Sequence, residues 1–190
     1  MKIDIEDRIR ASIAAKEGLL KGQVVNIESA AKAIIESLKS GKKLLVFGNG
    51  GSAADSQHIA AELVGRFKME RKALPAISLT TNTSILTAIA NDYGYDAVFS
   101  RQIEALGVQG DVALGISTSG NSKNVIEAMK KARSIGMKVI ALSGGDGGKM
   151  KQEADISIVA AAKDTPRIQE SHILIAHIIC GLVEDGIFKK

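Results

Sequence analysis

The chain has 190 residues, of which 45% are hydrophobic and 24% are charged, and these values exclude an intrinsically disordered protein. Its formal net charge of +4 suggests an anionic partner, but aromatic residues are only 3% of the chain, so the stacking platforms of single-strand nucleic-acid binders are missing. A small phosphorylated ligand therefore fits the composition better than a nucleic acid.

The expected compartment follows from the start of the chain and from its cysteine. The first ten residues, MKIDIEDRIR, alternate charged residues with isoleucine, whereas a signal peptide needs an apolar segment. No apolar run approaches the roughly 18 residues that span a bilayer, so we expect a cytoplasmic protein without a membrane partner. The single cysteine, Cys180, lies in the apolar stretch ILIAHIICGL and is predicted to be a buried free thiol.

Two helical patterns open the chain. Apolar residues recur at helical spacing over residues 3–21 and again over 24–40, and Gly41 ends the second pattern. Each apolar stripe needs a partner, which is either the rest of the chain or another subunit.

Five short apolar runs follow, separated by helical patterns. They are LLVF (44–47), PAISL (75–79), DVALGI (111–116), KVIAL (138–142) and DISIVA (155–160). Unalternating strands separated by helices predict an α/β fold with a doubly wound parallel sheet that is covered on both faces. The last helix is predicted over about 166–188, with Thr165 as its N-cap and Pro166 as its first residue.

The turn after the first strand reads GNGGSA (48–53) and opens a helix, which matches the dinucleotide fingerprint G-x-G-x-x-A. A nicotinamide-binding fold also needs an acidic residue near the end of the second strand to hold the ribose. That strand ends in Leu79, Thr80, Thr81 and Asn82. The missing acid counts against a dinucleotide.

The third strand ends in STSGNS (117–122), directly before a helical pattern that begins near Asn124. Hydroxyl groups and free backbone N–H groups at a helix N-terminus favour an anion, so we predict a phosphate site here. No lysine follows the turn as in a P-loop, so the pattern does not fit ATP. The alternative is that these residues only cap the helix and turn the chain. In a sheet of order 2-1-3-4-5 the two turns lie side by side.

Four polar residues are candidates for the chemistry. His58 and Glu62 are four residues apart on one helical face, and Gln169 and His177 lie about 80° apart in projection on the last helix. Either pair is a catalytic candidate, and His58 with Glu62 is equally explained as a surface pair. The four donor types suit a catalytic or loosely held zinc ion better than a structural one. His172 lies off this line, and we predict it at an interface or on the surface.

Four segments together resemble the sugar-isomerase (SIS) domain family and, within it, the phosphoheptose isomerases. They are FGNGGSAADSQHIAAELVGRF, LTAIANDYGYDAVFSRQ, STSGNS and TPRIQESHILIAH. The resemblance implies one SIS domain over residues 1–190 with a flavodoxin-like five-stranded sheet. It also implies a homotetramer assembled partly through the helices of residues 1–40, with active sites near subunit interfaces. The implied reaction converts sedoheptulose 7-phosphate into glycero-manno-heptose 7-phosphate, the first step of ADP-heptose synthesis for lipopolysaccharide or related surface glycans.

The resemblance also implies a set of site residues. It implies substrate contacts at Asn49, Gly50, Gly51, Ser52, Asn91, Asp92, Ser117, Thr118, Ser119, Ser122 and Gln169. It implies one Zn²⁺ per subunit, held by His58, Glu62, Gln169 and His177. The implied acid–base pair is Glu62, which moves the carbon-bound proton through an enediol, and His177, which opens the sugar ring or protonates an oxygen. Pro166 departs from the pattern, because some members have an acidic residue there.

The same family contains relatives without catalytic activity, notably the replication-initiator-associating SIS protein, which shares the loops and the RIQE-containing helix. Those relatives lack the glutamate at the position of Glu62 and the histidine at that of His177. Both residues are present here. We therefore expect an enzyme, with a binding adaptor as the alternative.

Overall fold

The computed structural model describes residues 2–189. Its elements in chain order are α1 (Lys2–Gly22), α2 (Val24–Lys39), β1 (Leu44–Gly48), α3 (Gly51–Val64), β2 (Ala76–Ser78), α4 (Thr83–Tyr93), a 3₁₀ turn (Tyr95–Ala97), α5 (Ser100–Leu106), β3 (Val112–Ser117), α6 (Lys123–Ile135), β4 (Lys138–Gly144), α7 (Met150–Glu153), β5 (Ile156–Ala160) and α8 (Thr165–Phe188). Both predicted N-terminal helices and all five predicted strands are present, and their ends differ from the predictions by at most two residues.

The five strands form one parallel sheet in the order β2-β1-β3-β4-β5. Each strand is followed by a helical segment before the next strand begins, which is why the strands pair in parallel. β1 and β3 are neighbours, and Gly48 lies opposite Ile116 in their register. The carboxyl ends of these two strands, and therefore the two turns that follow them, lie at the same edge of the sheet. The doubly wound fold predicted from the sequence is confirmed.

Helices cover both faces of the sheet, as predicted. Successive residues of β1 alternate between the two cores, so that Val46 packs with one and Phe47 with the other. The first core includes buried residues of α2, α3 and α8, and the second includes buried residues of α5 and α6. Because β1 and β3 are fully buried along their lengths, they read as continuous apolar runs in the sequence.

The two N-terminal helices differ in what they contact. α2 places Ile27, Ile34 and Leu38 in the core of its own chain. α1 buries only Leu19 among the residues described for it, and its isoleucines remain more than half exposed. They are Ile3, Ile5, Ile9 and Ile13. The apolar stripe of α2 is therefore satisfied within the chain, whereas that of α1 faces outward.

The predicted start of α8 is wrong by one residue. Its N-cap is Asp164, whose backbone is extended (φ −90°, ψ 122°), and Thr165 is already helical. Pro166 is tolerated one position later because backbone N–H groups in the first helical turn have no intrahelical acceptor. By length and composition alone α8 could cross a membrane. Here it is the helix that covers the sheet, and Ile168, Ile175 and Val183 are buried in the core.

The prediction for His172 is also wrong, because this residue is fully buried. It lies four residues after Ile168 and three before Ile175, so the helical period places it on the inner face of α8. Its Nε2 donates to the carbonyl oxygen of Ser143 at 3.0 Å, and burial lowers its pKa to about 4. Cys180 is a buried free thiol, as predicted, and burial raises its pKa to about 12.

Candidate active site

The turn after β1 is shaped by close packing. A Cβ on Gly48 would lie 2.8 Å from the carbonyl oxygen of Ile116, and Gly50 has a positive φ of 56°. The space that a Cβ on Gly51 would need is taken by the side-chain amide of Gln169 from α8. Gly48 therefore lets β3 approach this turn, and Gly51, which is not a glycine of the fingerprint, lets α8 approach it.

The turn after β3 gathers three hydroxyl groups. The Oγ of Ser117 lies 2.8 Å from that of Ser122 and 3.4 Å from that of Ser119. Ser122 is the N-cap residue of α6, yet its side chain makes no capping bond to the helix backbone. The alternative that these serines only cap the helix is therefore weakened, and the arrangement favours the predicted phosphate site.

The two turns are joined by Asn49, a predicted substrate contact, and by Asn124 and Tyr95, which no prediction named. The Asn49 and Asn124 side-chain amides exchange two hydrogen bonds of 2.9 Å, and the Tyr95 hydroxyl donates to Asn49 Oδ1 at 3.2 Å. Asn124 is only 3% exposed. The sequence signal for this contact is the position of Asn124 in the first turn of the helix after STSGNS, from which an asparagine can reach the neighbouring turn.

Asn91 and Asp92 lie near the end of α4 and are exposed. The Asn91 amide donates to Asp92 Oδ1 at 2.9 Å. It is Tyr95, a few residues later, that reaches the β1 turn. A substrate contact at Asn91 and Asp92 stays a prediction.

Three candidate residues from α3 and α8 meet. His58 Nε2 lies 2.9 Å from Glu62 Oε1 and 3.2 Å from His177 Nε2. The donor atoms of these three residues lie within 4.8 Å of one another. Since His177 comes from α8 and the other two come from α3, the cluster is more than the pairing of neighbours along one helix.

The donor set of this cluster fits a zinc ion. Ligand atoms of a tetrahedral zinc site lie roughly 3.3 Å apart when the metal–ligand bonds are about 2.0–2.1 Å long. The separations of 2.9 and 3.2 Å are close to that value. Two imidazoles and one carboxylate leave a fourth position open, as in catalytic zinc sites. Gln169 lies against Gly51, and its part in holding a metal stays a prediction.

Asp55 was not singled out from the sequence, and it lies one turn before His58 on α3. Its Oδ2 is buried and has no hydrogen-bond partner among residues 2–189. Burial raises the pKa of this carboxyl, whereas the charge of His58 lowers it. A carboxylate beside a metal-binding histidine commonly accepts the N–H of its second ring nitrogen.

Comparisons with known proteins identify the family. Residues 9–144 match the family model of the SIS domain. The phosphoheptose isomerase of Clostridium acetobutylicum is 55% identical over 190 residues, which cover 99% of this chain and 97% of that protein. This chain belongs to the phosphoheptose isomerase family. The adaptor alternative is not favoured, and the prediction of a sugar-phosphate isomerase is confirmed.

Two solved structures of phosphoheptose isomerases extend the comparison to the fold. The protein from Neisseria gonorrhoeae is 46% identical with a TM-score of 0.92, over 97% of this chain and 98% of that one. The protein from Francisella tularensis is 39% identical with a TM-score of 0.94, over 97% of this chain and 99% of that one. The SIS family match ends with β4, so β5 and the helix that carries His177 lie beyond it in this chain.

Proposed function

We propose that this chain converts sedoheptulose 7-phosphate into D-glycero-D-manno-heptose 7-phosphate through an enediol. The observation that carries the proposal is the meeting of Glu62, His58 and His177, from two separate helices, in a chain that also carries the serine-rich turn. The names of the relatives support the same substrate class. A phosphate anchor and a proton-transfer group are what an aldose–ketose isomerase of a sugar phosphate needs.

The substrate phosphate is held by the turn of residues 117–122. The hydroxyl groups of Ser117, Ser119 and Ser122 and the N-terminus of α6 together offer hydrogen-bond donors and a favourable helix dipole. Thr118 and the β1 turn, residues 49–52, complete the walls, with Gln169 packed against Gly51. The anchor holds one end of the sugar so that its other end lies by the acid–base cluster.

The reaction moves two protons and leaves the oxidation state of the molecule unchanged. The carboxylate of Glu62 takes the proton from C1 of the open ketose while the C2 carbonyl oxygen gains a proton, which gives the enediol. The hydroxyl at C1 then loses its proton, and Glu62 returns the carbon-bound proton to C2, which gives the aldehyde. His177 carries protons to and from the sugar oxygens and assists ring opening. Positioned acid–base groups of this kind contribute about 10²–10⁴-fold each.

A zinc ion held by His58, Glu62 and His177, with Gln169 as a further candidate ligand, would polarise the carbonyl and stabilise negative charge on oxygen. Glu62 has a place in both roles, and a carboxylate bound to a metal is a weaker base. Activity measurements with and without Zn²⁺ test which of the two roles Glu62 takes.

Two further properties belong to the same proposal. The outward isoleucines of α1 support assembly with other subunits, and we propose the homotetramer. The product would enter ADP-heptose synthesis in the cytoplasm, for lipopolysaccharide or related surface glycans.

An isomerisation assay tests the proposed function. The wild type is treated with a chelator, and sedoheptulose 7-phosphate turnover is then measured before and after Zn²⁺ is returned. We expect turnover to fall on chelation and to recover with Zn²⁺. Absence of turnover under every condition, together with specific binding to a protein partner, would support the adaptor instead. Turnover that chelation leaves unchanged would remove the metal from the proposal but not the isomerase.

A further inference from the structure

The segment between α3 and β2 folds around a buried carboxylate from α8. Glu184 Oε1 accepts backbone N–H groups from Lys68 and Met69, both at 2.8 Å, and Oε2 accepts from the Phe67 N–H at 3.1 Å and from Arg71 Nε at 3.0 Å. The side chains of Arg71 and Glu184 are each 2% exposed. Burial alone would raise the pKa of the Glu184 carboxyl, but the four donors hold it below its usual value.

The guanidinium of Arg71 also closes the C-terminal end of α3. Its Nη2 donates to the carbonyl oxygen of Glu62 at 2.8 Å, and its Nη1 donates to those of Leu63 at 2.7 Å and Gly65 at 2.9 Å. The last carbonyl groups of a helix have no partner within the helix, and a cation there also interacts favourably with the helix dipole. Arg71 therefore binds the backbone of the residue whose carboxylate lies in the acid–base cluster.

The same segment also contacts the histidine of the cluster. The Phe67 ring packs against the His177 imidazole with a centroid distance of 5.7 Å. It lies over Gly181, where a Cβ would come within 3.4 Å of the ring. The N–H of Phe67 is held by Glu184, which is two turns beyond His177 on α8. The buried ion pair of Arg71 and Glu184 thus bonds to the backbone of Glu62 and holds Phe67, whose ring packs against His177.

We propose that Arg71 and Glu184 are positioning residues, which fix the separation of Glu62 and His177 for the proton transfers and for binding of Zn²⁺. The inference rests on the proposed function. Arg71 and Glu184 would affect the reaction without touching the substrate. α3 and α8 are separate helices, so the distance between their side chains depends on what holds the helices in register. The planar fork of Arg71 makes several directed bonds at once, which the single ammonium group of a lysine cannot reproduce.

The test is the variant Arg71→Lys, which keeps the charge beside Glu184 and loses the fork. Its matched control is Asp111→Asn, directly before β3. Asp111 is also a fully buried carboxylate, which accepts from the backbone N–H and the Nζ of Lys43 at 3.0 and 2.6 Å and from the N–H of Val108 at 2.9 Å. Each variant is assayed for kcat and KM with sedoheptulose 7-phosphate, for Zn²⁺ affinity by chelator competition and for Tm.

We expect Arg71→Lys to lower kcat and Zn²⁺ affinity by about 10–100-fold, the range found when groups that orient metal ligands are removed. KM should change by less than about threefold, because the phosphate turn is untouched. Asp111→Asn should lower Tm while it leaves kcat and Zn²⁺ affinity at the wild-type values. If Arg71→Lys lowers only Tm, as Asp111→Asn does, the ion pair is merely structural and the proposal is wrong.

A second variant keeps the test decisive if Arg71→Lys does not fold. Phe67→Leu leaves the ion pair intact and removes the ring beside His177, so Zn²⁺ affinity and kcat should fall about tenfold. Unchanged values for this variant would overturn the proposal. If the wild type itself fails to isomerise the substrate, the proposed function is wrong, and the Zn²⁺ affinities of the variants and the control still decide the positioning role.

Discussion

The phosphate turn and the acid–base cluster are built in different ways. Ser117 and Ser122 are five positions apart and their hydroxyls are within 2.8 Å, whereas His58 and His177 are separated by 119 positions and meet at 3.2 Å. The first arrangement depends on one turn between a strand and a helix. The second depends on how two helices pack. A binding function can therefore be local in the sequence, while the distances on which proton transfer depends are set by the tertiary fold.

The substitution with the largest expected effect is Glu62→Gln, which tests the acid–base cluster. The substitution keeps the shape of the side chain and removes its ability to take a proton, so kcat should fall by about 10²–10⁴-fold or more while KM changes little. Steady-state kinetics with sedoheptulose 7-phosphate, together with the zinc content of the variant, give the measurement. A variant with near wild-type kcat would show that Glu62 is not the base.

A second test concerns His172, the histidine of α8 that is not part of the acid–base cluster. His172 is buried with its pKa lowered to about 4, so the unfolded state binds a proton more readily than the folded state does. The folded state keeps His172 neutral, so the free energy of unfolding begins to fall as the pH drops below about 6.5, the ordinary pKa of histidine. The fall is complete below about pH 4. The loss is about 3 kcal/mol. Urea denaturation at pH 7 and pH 4 measures it.

The control for His172 is His172→Gln, which offers a similar donor to Ser143 and does not titrate. The difference between wild type and variant in the free energy of unfolding should shift in favour of the variant as the pH falls. The same shift in both proteins would mean that other groups account for the acid response.

The phosphate turn is tested by Ser122→Ala. Hydrogen bonds to charged groups contribute about 1.5–3 kcal/mol, so KM should rise by about 10–100-fold with kcat nearly unchanged. Tm should change little, because the Ser122 side chain makes no capping bond. Ser134→Ala near the other end of α6, where Oγ donates to the Lys131 carbonyl oxygen, is the matched control and should leave KM unaffected. A fall in kcat instead of a rise in KM would contradict the assignment of the turn to phosphate binding.

The smallest expected effect is that of Tyr95→Phe. It removes one hydrogen bond, from the hydroxyl to Asn49, and leaves the paired amides of Asn49 and Asn124 in place. A single neutral bond is worth about 1 kcal/mol, so KM should rise no more than about fivefold. A larger rise would mean that Tyr95 contacts the substrate itself.

The comparison also explains what the sequence could and could not predict. The strands were predictable, because β1 and β3 are buried on both faces and read as unbroken apolar runs. Their order was taken from the doubly wound class of fold. Whether His58 and Glu62 were a surface pair or part of a site could not be decided, since His177 reaches them only through the packing of α8 on α3. The buried position of His172 follows from its helical spacing to Ile168 and Ile175, a signal that its polar side chain obscures in the sequence.

Asn124 and Arg71 illustrate a further limit. Both bond to residues that matter for the proposed reaction. The place of Asn124 shortly after STSGNS gives a local signal, whereas nothing in the sequence around Arg71 predicts its partners. Asn124 pairs with a residue 75 positions away, and Arg71 bonds to the carboxylate of a residue 113 positions away. Long-range partners of this kind become visible only when the fold is known.

Gly51 has a consequence for how such a chain can vary. Its missing side chain makes room for the amide of Gln169, so the two positions share one volume. A chain that gains a side chain at position 51 must shorten or displace the one at 169, and the reverse change opens a void beside the β1 turn. A side chain at position 51 should therefore move the amide of Gln169 away from the β1 turn, which couples the start of α3 to a residue on α8.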